Sequence, residues 1–212
     1  MIKDNKAIYG MPRNGGRYCS RGIMIKLISI LLLLLGSHVF AAPKILLSEN
    51  KIGTMEIKEG MKISLYSIRN AIRGPYRIRH EIRDGMDWPS HEFVVETWEG
   101  EELFEFISFI KDPKEYESAQ VRLDEIVIYS SEIQDQYGVY PGMPISEASK
   151  IRPDMKFGSG HMDNYLGSGK IWYMLNIDWS KIDQSKGLSP KEYVIKSDTK
   201  ISVITWPNFI IR

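Results

Sequence analysis

Cysteine is almost absent from this sequence. The chain of 212 residues has one cysteine, Cys19, so no disulfide can form within residues 42–212. The histidines of that part, His80, His91 and His161, have no paired spacing and no cysteine partner. Because a transition-metal site needs three or four converging nitrogen, sulfur or oxygen ligands, the sequence predicts neither a metal site nor a cofactor.

Long apolar runs are also scarce. The one pronounced run, Leu27–Leu35, follows Lys26 and precedes small residues that end at Ala41. It is well short of the ~20 residues that a membrane-spanning helix needs. Its order of positive, apolar and small residues is typical of a secretory signal peptide. We therefore predict a signal peptide over residues 24–41, cleaved after Ala41, a preceding over-extended start or long n-region over 1–23, and a periplasmic product.

The exported part lacks an excess of basic charge. Lys and Arg number 28 and Asp and Glu number 27, but six of the basic residues and one acidic residue lie in residues 1–41. Residues 42–212 thus hold 22 basic and 26 acidic residues, a net charge of −4. A mildly acidic protein without a basic tail is a poor candidate for nucleic acid. We expect one domain over 42–212, no stable membrane anchor, and an unknown envelope protein or cell-wall component as partner.

A short string occurs twice, as GMKIS at Gly60–Ser64 and as GMPIS at Gly142–Ser146. Ser64 and Ser146 are predicted to cap helices, with Ala148 and Ile151 facing inward in the second. Each helix precedes strand-like segments that close on a β-branched run, 124–130 and 200–206. The pattern predicts an α+β fold with mostly antiparallel sheet, in which a unit of one helix plus antiparallel strands is duplicated over about 53–130 and 138–206.

Strict alternation of apolar and polar residues over Tyr76–Arg83 predicts a strand. Pairing it with Glu92–Trp98 so that Arg83 meets Glu92 and Arg79 meets Glu96 satisfies both faces. In this register His80 faces the interior, whereas His91 falls in the turn. Further strands are predicted over 124–130, 170–179 and 200–206.

Several motifs together resemble one known family. They are RGPYRIRHEI at 73–82, LDEIVIYSSEI at 123–133, YGVYPGMPISE at 137–147, IWYMLNIDW at 171–179 and ISVITW at 201–206. Their order and spacing resemble the YfeY-like family of small bacterial envelope proteins, which includes the RpoE-regulated lipoprotein. The resemblance implies an envelope setting linked to envelope stress, and it supplies no catalytic residue because the family is functionally uncharacterised. The lipid-bearing cysteine of anchored members is missing here.

Two sets of residues are candidate ligand or partner contacts. The glycine-rich stretch 157–169 carries Ser159, His161, Asp163, Asn164 and Tyr165. It matches neither a phosphate-binding loop nor a nucleophile elbow, and a mobile connection between helix and strand is the simpler interpretation. The second set is the row Arg77, Arg79 and Arg83, which suits an anion but can be neutralised by cross-strand Glu92 and Glu96.

No combination of nucleophile and base is recognisable, so no catalytic residue is assigned. The leading hypothesis is a non-enzymatic, exported binding protein of the periplasm. One alternative is an inhibitor or immunity protein of a cell-wall hydrolase that presents the stretch 157–169. A second alternative is a hydrolase that uses dispersed carboxylates.

Overall fold

The computed structural model describes residues 45–85, 88–159, 164–177, 187–197 and 199–207. These residues all belong to the unit Ala42–Arg212. The predicted long start, 1–23, and the predicted signal peptide, 24–41, lie outside the described residues. Within the described part, no helix is long and apolar enough to span a membrane.

Short helices alternate with antiparallel strands along the described chain. The elements in chain order are β1 Leu46–Leu47, β2 Lys51–Ile52, β3 Met55–Glu56, β4 Lys62–Ile63, α1 Leu65–Ala71, β5 Arg77–Arg83, β6 Ser90–Glu96, β7 Glu102–Phe109, β8 Val121–Arg122, β9 Glu125–Ile128, β10 Gln134–Asp135, α2 Ile145–Ile151, β11 Lys156–Ser159, β12 Asn164–Ser168, β13 Ile171–Leu175, α3 Pro190–Lys196 and β14 Ile201–Trp206. A 3-10 turn lies at Pro113–Glu115, between β7 and β8.

Eight strands form the main sheet, in the order β11-β12-β13-β14-β9-β7-β6-β5. Every pairing in it is antiparallel. The order reads as two runs of four strands that meet where β14 pairs with β9. A smaller four-stranded sheet has the order β10-β1-β2-β3, and β4 pairs with β8. The predicted α+β class with mostly antiparallel sheet is confirmed.

The hydrophobic core lies on one face of the main sheet, called here the core face. Alternate residues of the central strands supply it, among them Phe93, Phe104, Ile126 and Ile204. The helices add Ile68 from α1, Ile145 and Ala148 from α2, and Val194 from α3. Burying each large apolar side chain contributes roughly 1.5–3 kcal/mol, so this layer holds the helices on the sheet.

Helix α1 begins as its sequence predicts. The Ser64 hydroxyl accepts a hydrogen bond from the Ser67 backbone N–H at 3.2 Å, and the Ser67 hydroxyl accepts one from the Ser64 N–H at 2.9 Å. This reciprocal capping box satisfies two N–H groups that the first helical turn leaves without an intrahelical acceptor.

The predicted cap of α2 is wrong. The N-cap is Pro144, and Ser146 lies inside the first turn without capping it. Proline fixes its own φ near the helical value, and the Ile145 N–H already donates to the Thr199 carbonyl at 2.9 Å. Ile151, expected to face inward, is 43% exposed at the last helical position; α2 ends there, two residues before Pro153.

The turns at Gly60-Met61 and Gly142-Met143, called here the GM turns, make equivalent backbone hydrogen bonds. The Gly60 N–H donates to the Leu123 carbonyl and the Leu123 N–H donates to the Met61 carbonyl, both at 2.8 Å. In the second half, Gly142 donates to Ile201 at 2.8 Å and Ile201 donates to Met143 at 3.0 Å. Both glycines have positive φ, +73° and +93°, a conformation that side chains disfavour. Each turn thereby fixes the start of its helix against the beginning of a later strand, just before β9 in the first case and at the first residue of β14 in the second.

Strands β5 and β6 pair two residues away from the predicted register. Arg77 lies opposite Glu96 and His80 opposite Phe93, whereas the prediction placed Arg79 opposite Glu96 and His80 opposite Val95. Strand β6 begins at Ser90, so the connection is shorter than the predicted turn. A shift of two residues keeps every side chain on its face, which is why the predicted faces are correct although the partners are not.

The described residues of the stretch 157–169 are mostly strand, so its prediction as a loop connecting helix and strand is wrong. Strands β11 and β12 pair from Lys156 with Gly167 to Ser159 with Asn164. A Cβ on Gly167 would lie 2.7 Å from the Ile171 carbonyl oxygen. Glycine there permits close backbone approach inside a sheet. In the sequence alone, a glycine with this role looks the same as a glycine of a flexible loop.

Candidate functional site

The row Arg77, Arg79 and Arg83 lies on the sheet face opposite the core, where it forms ion pairs with glutamates. Arg77 lies 3.1 Å from Glu96, and Arg83 lies 3.0 Å from Glu92. Arg79 contacts Glu102 at 2.9 Å, Glu96 at 3.8 Å and also Glu81. The predicted neutralising pairs, Arg79–Glu96 and Arg83–Glu92, therefore form diagonally across the shifted register.

Glu92 lies on that face together with two further carboxylates, Glu105 and Glu125, and the three are called here the glutamate cluster. The register sets Glu92 opposite Ile107 and Ile107 opposite Glu125, while Glu105 follows on the adjacent row. Glu92 is 6% exposed and Glu105 is 3% exposed. Central strands therefore carry buried charge on one face and buried apolar side chains on the other.

Neighbouring hydroxyl groups hold the cluster in place. The Ser90 hydroxyl donates to Glu92 Oε1 at 2.9 Å, and the Tyr129 hydroxyl donates to Glu105 Oε1. Tyr129 is 37% exposed, so its ring lies between Glu105 and solvent. Glu92 Oε2 faces Arg83 as an ion pair without an aligned hydrogen bond.

Burial makes two carboxyl groups of the cluster, Glu105 and Glu125, hold their protons to higher pH. Desolvation, with the charge of Glu92 adding to it, raises the pKa of Glu105 to about 7 against the lowering effect of the Tyr129 hydrogen bond. Desolvation and the charges of Glu105 and Asp124 raise the pKa of Glu125 to about 8. Glu105 and Glu92 are in hydrogen-bond contact, yet Oε2 of each lacks a donor. A proton on Glu105 supplies that donor, since two carboxylates so close together cannot both ionise easily.

His80 and His91 form a stacked pair on the core face. His80 Nε2 lies 3.0 Å from His91 Nδ1, and His91 Nε2 lies 2.7 Å from the Glu115 carbonyl oxygen. That carbonyl requires His91 to donate from Nε2, so His91 Nδ1 accepts from His80. Burial and the neighbouring His91 lower the pKa of His80.

Both histidines depart from their predicted settings. His91, predicted in a turn, is a strand residue and only 1% exposed. His80 lies on the predicted face and stacks on Phe93, but its side chain is exposed because β5 is the last strand of the sheet. The register shift explains the first error, and the edge position explains the second.

The residues of the glycine-rich stretch lie far from the arginine row. Asn164 and Tyr165 are half-buried in β12, and Ser159 ends β11. His161 and Asp163 lie outside the described residues. Five strands separate β12 from β5 in the sheet, so the two predicted sets of contacts do not form one site.

Among the described residues, no group of three or more His, Cys, Asp or Glu side chains, the glutamate cluster included, is arranged so that it could hold a metal ion. The sequence interpretation missed the glutamate cluster, although a signal for it exists. Glu105 stands alone among apolar residues in the strand sequence LFEFISF, and Glu92 and Glu125 precede similar runs. A carboxylate in such a strand is either exposed on an uncovered face or buried with its own partners, and alternation alone does not separate these cases.

The fold is similar to that of a solved structure. The uncharacterized protein YfeY from Escherichia coli is similar over 76% of this chain and 99% of its own, with a TM-score of 0.50 and 20% sequence identity. The chain shares the YfeY fold. This likeness bears out the resemblance that the sequence motifs indicated, at the level of fold. No family model and no curated protein matches the sequence.

Proposed function

We propose that this chain is an exported protein of the bacterial periplasm that acts by binding an envelope partner. The observation that carries the proposal is a pair of exposed tryptophans at the two ends of β6. Trp88, before β6, is 52% exposed, and Trp98, after it, is 64% exposed. Tryptophan is seldom so exposed without a reason and is enriched among residues that dominate binding energy. The leader-like composition of residues 24–41 supports export.

Site-specific photocrosslinking in living cells tests this proposal. A crosslinker at position 88 or 98 is expected to capture a defined partner, while one at Tyr66, 77% exposed on α1, captures none. The captured protein should lose affinity for a Trp98→Ala variant by about tenfold or more. The mature chain is expected to start at Ala42 and to leave the cell on osmotic shock. Identical capture from all three positions, or fractionation with membranes, would contradict the proposal.

We also infer that the domain arose by internal duplication. The equivalent hydrogen bonds of the two GM turns support this, as do the matching strand runs β5-β6-β7-β9 and β11-β12-β13-β14. In each half a helix precedes three consecutive strands and a fourth strand that pairs with the third.

Hydrolysis by carboxylates is a second candidate function, favoured by the glutamate cluster. A general acid must hold its proton near neutral pH, and Glu105, whose pKa desolvation raises to about 7, meets that requirement. A purified sample is expected to turn over a member of a broad glycoside and ester panel, and Glu105→Gln to reduce the rate by 10²-fold or more. The matched control is Glu102→Gln, which removes a partly exposed carboxylate of the same strand. Equal rates in both variants would exclude this role for Glu105.

A further inference from the structure

A polar cleft lies at the start of the first half of the fold. Its volume is about 310 Å³, and three separate segments line it. They are the turn Lys58–Gly60 before β4, Arg122 and Asp124 at the end of β8, and Lys170 in the turn between β12 and β13. A cleft of this size is at the small end of the range for ligand sites.

Arg122 is fixed in orientation by a buried carboxylate. Its Nη2 lies 2.8 Å from Asp124 Oδ1, and Asp124 Oδ2 accepts the Phe109 backbone N–H at 2.9 Å. The aliphatic part of Arg122 passes Gly60, where an added Cβ would lie 3.8 Å from its Cδ. Because Asp124 uses both oxygens internally, it orients the guanidinium and leaves the remaining N–H groups of Arg122 to other acceptors.

Lys170 is held at the opposite wall. Its backbone N–H donates to Glu49 Oε2 at 2.9 Å, and its Nζ lies 5.5 Å from the centroid of the Trp206 ring. Within the described residues, neither Lys170 nor Lys58 has a carboxylate within ion-pair distance. Asp124 is already paired with Arg122. In the rest of the lining, the positive charges of Lys58 and Lys170 therefore outnumber the negative charge of Glu59.

The positive charge of the cleft is not required by the backbone hydrogen bonds of its turn, because the equivalent turn of the second half carries different side chains. In the second half the equivalent turn carries Tyr140 and Pro141 before Gly142, where the first half has Lys58 and Glu59 before Gly60. Lys200 there takes the place of Arg122, one residue before the segment that bonds to the turn. The same backbone frame thus carries Lys58 and Arg122 at one turn and Tyr140 and Lys200 at the other.

We propose that the cleft binds an oxyanion group of a small ligand, a phosphate or a carboxylate, between Arg122, Lys58 and Lys170. Arg122 offers a fixed planar donor set, whereas the two lysines supply mobile point charges around it. The inference rests on the proposed binding role of the chain, but it concerns a different surface from the two tryptophans. A failure of crosslinking at Trp88 and Trp98 therefore leaves the cleft untouched, and a failure of anion binding leaves the partner surface untouched.

The test is a titration of the exported chain, residues 42–212, with inorganic phosphate and, separately, with succinate, followed by NMR chemical shifts at constant ionic strength. Saturable shifts are expected at Gly60 and Lys170 with at least one of these anions, and the stronger response identifies the oxyanion class. Arg122→Gln and Lys170→Gln are each expected to weaken binding about tenfold or more. Glu59→Gln should strengthen it, because it removes the opposing carboxylate.

Lys200→Gln is the matched control and should bind as the wild type does. Arg122→Gln leaves Asp124 short of a partner, so Lys58→Gln provides a second variant that disturbs no buried group. Shifts that chloride reproduces, or an equal loss in Lys200→Gln, would overturn the proposal. Unchanged affinity in both Lys58→Gln and Lys170→Gln would also overturn it.

Discussion

Replacing Glu105 by glutamine is expected to stabilise the protein above neutral pH, by about 3 kcal/mol at pH 8. The folded-state pKa of Glu105 is about 7, raised from 4.5 chiefly by desolvation. A carboxyl group whose pKa is raised by folding costs nothing below its unfolded pKa and destabilises progressively as the pH rises through the folded value. Glutamine reproduces the protonated state, since it can accept from Tyr129 and donate to Glu92.

Denaturant unfolding at pH 5, 6, 7 and 8 measures this effect. The advantage of Glu105→Gln over the wild type should grow across that range and level off near pH 8. Glu102→Gln, on the same strand and partly exposed, should show no such growth. An advantage that is independent of pH would mean that Glu105 is ionised throughout and that its oxygens have another donor. If the cluster is catalytic, the same variant gains stability while it loses activity, as strained active sites often do.

The part of the fold that the sequence predicted depends on strong periodic patterns. Strand β5 alternates strictly, and β14 and β9 are β-branched runs, so each was placed within a few residues. Pairing partners were less determined, because a slip of two residues leaves the faces of β5 and β6 unchanged. The ion pairs between Arg79 and Glu96 and between Arg83 and Glu92 survive that slip, since long side chains reach diagonal neighbours.

Short elements escaped the sequence interpretation for a different reason. Strands β1, β2, β3 and β10 have two residues each, too few to show any period. Helix α3 did carry a signal, the combination of Ser189, Pro190 and Glu192 that forms a capping box in the structure. The local signal of the glutamate cluster, Glu105 among apolar residues, does not show that the carboxylate is buried, because its burial depends on which strands become neighbours.

The largest loss of stability is expected from Arg152→Met, at about 3–5 kcal/mol. Arg152 is 2% exposed, and its Nη1 donates to the Tyr173 hydroxyl at 2.8 Å and its Nη2 to the Ser168 carbonyl at 3.0 Å. Its guanidinium also lies 4.1 Å from the centroid of the Tyr137 ring. Methionine fills much of the same volume, so the loss reports the charge and its hydrogen bonds more than a cavity.

The reason for so large an effect is the buried carboxylate on the far side of Tyr173. The Tyr173 hydroxyl donates to Asp135 Oδ2, and Asp135 is fully buried in β10. Asp135 Oδ1 accepts the backbone N–H groups of Tyr137 and Val139, both at 2.9 Å. Arg152 is the cation of this network, which joins the end of α2, β13 of the main sheet and β10 of the small sheet. Without it, the charge of Asp135 stays buried with hydrogen bonds alone, and desolvation already raises the pKa of that carboxyl.

A double-mutant cycle separates this electrostatic coupling from a general loss of packing. Arg152→Met and Asp135→Asn are measured singly and together by denaturant unfolding at pH 7, with the exposed Arg69→Met of α1 as control. The loss of unfolding free energy in the double variant is expected to be smaller than the sum of the two single losses by about 1–3 kcal/mol. The reason is that neutralising Asp135 removes the charge that Arg152 compensates. The control should change the free energy of unfolding by no more than about 0.5 kcal/mol. Strict additivity would show that Arg152 stabilises through its stacking on Tyr137 and its backbone contacts, and that Asp135 is compensated by the N–H groups of its own turn.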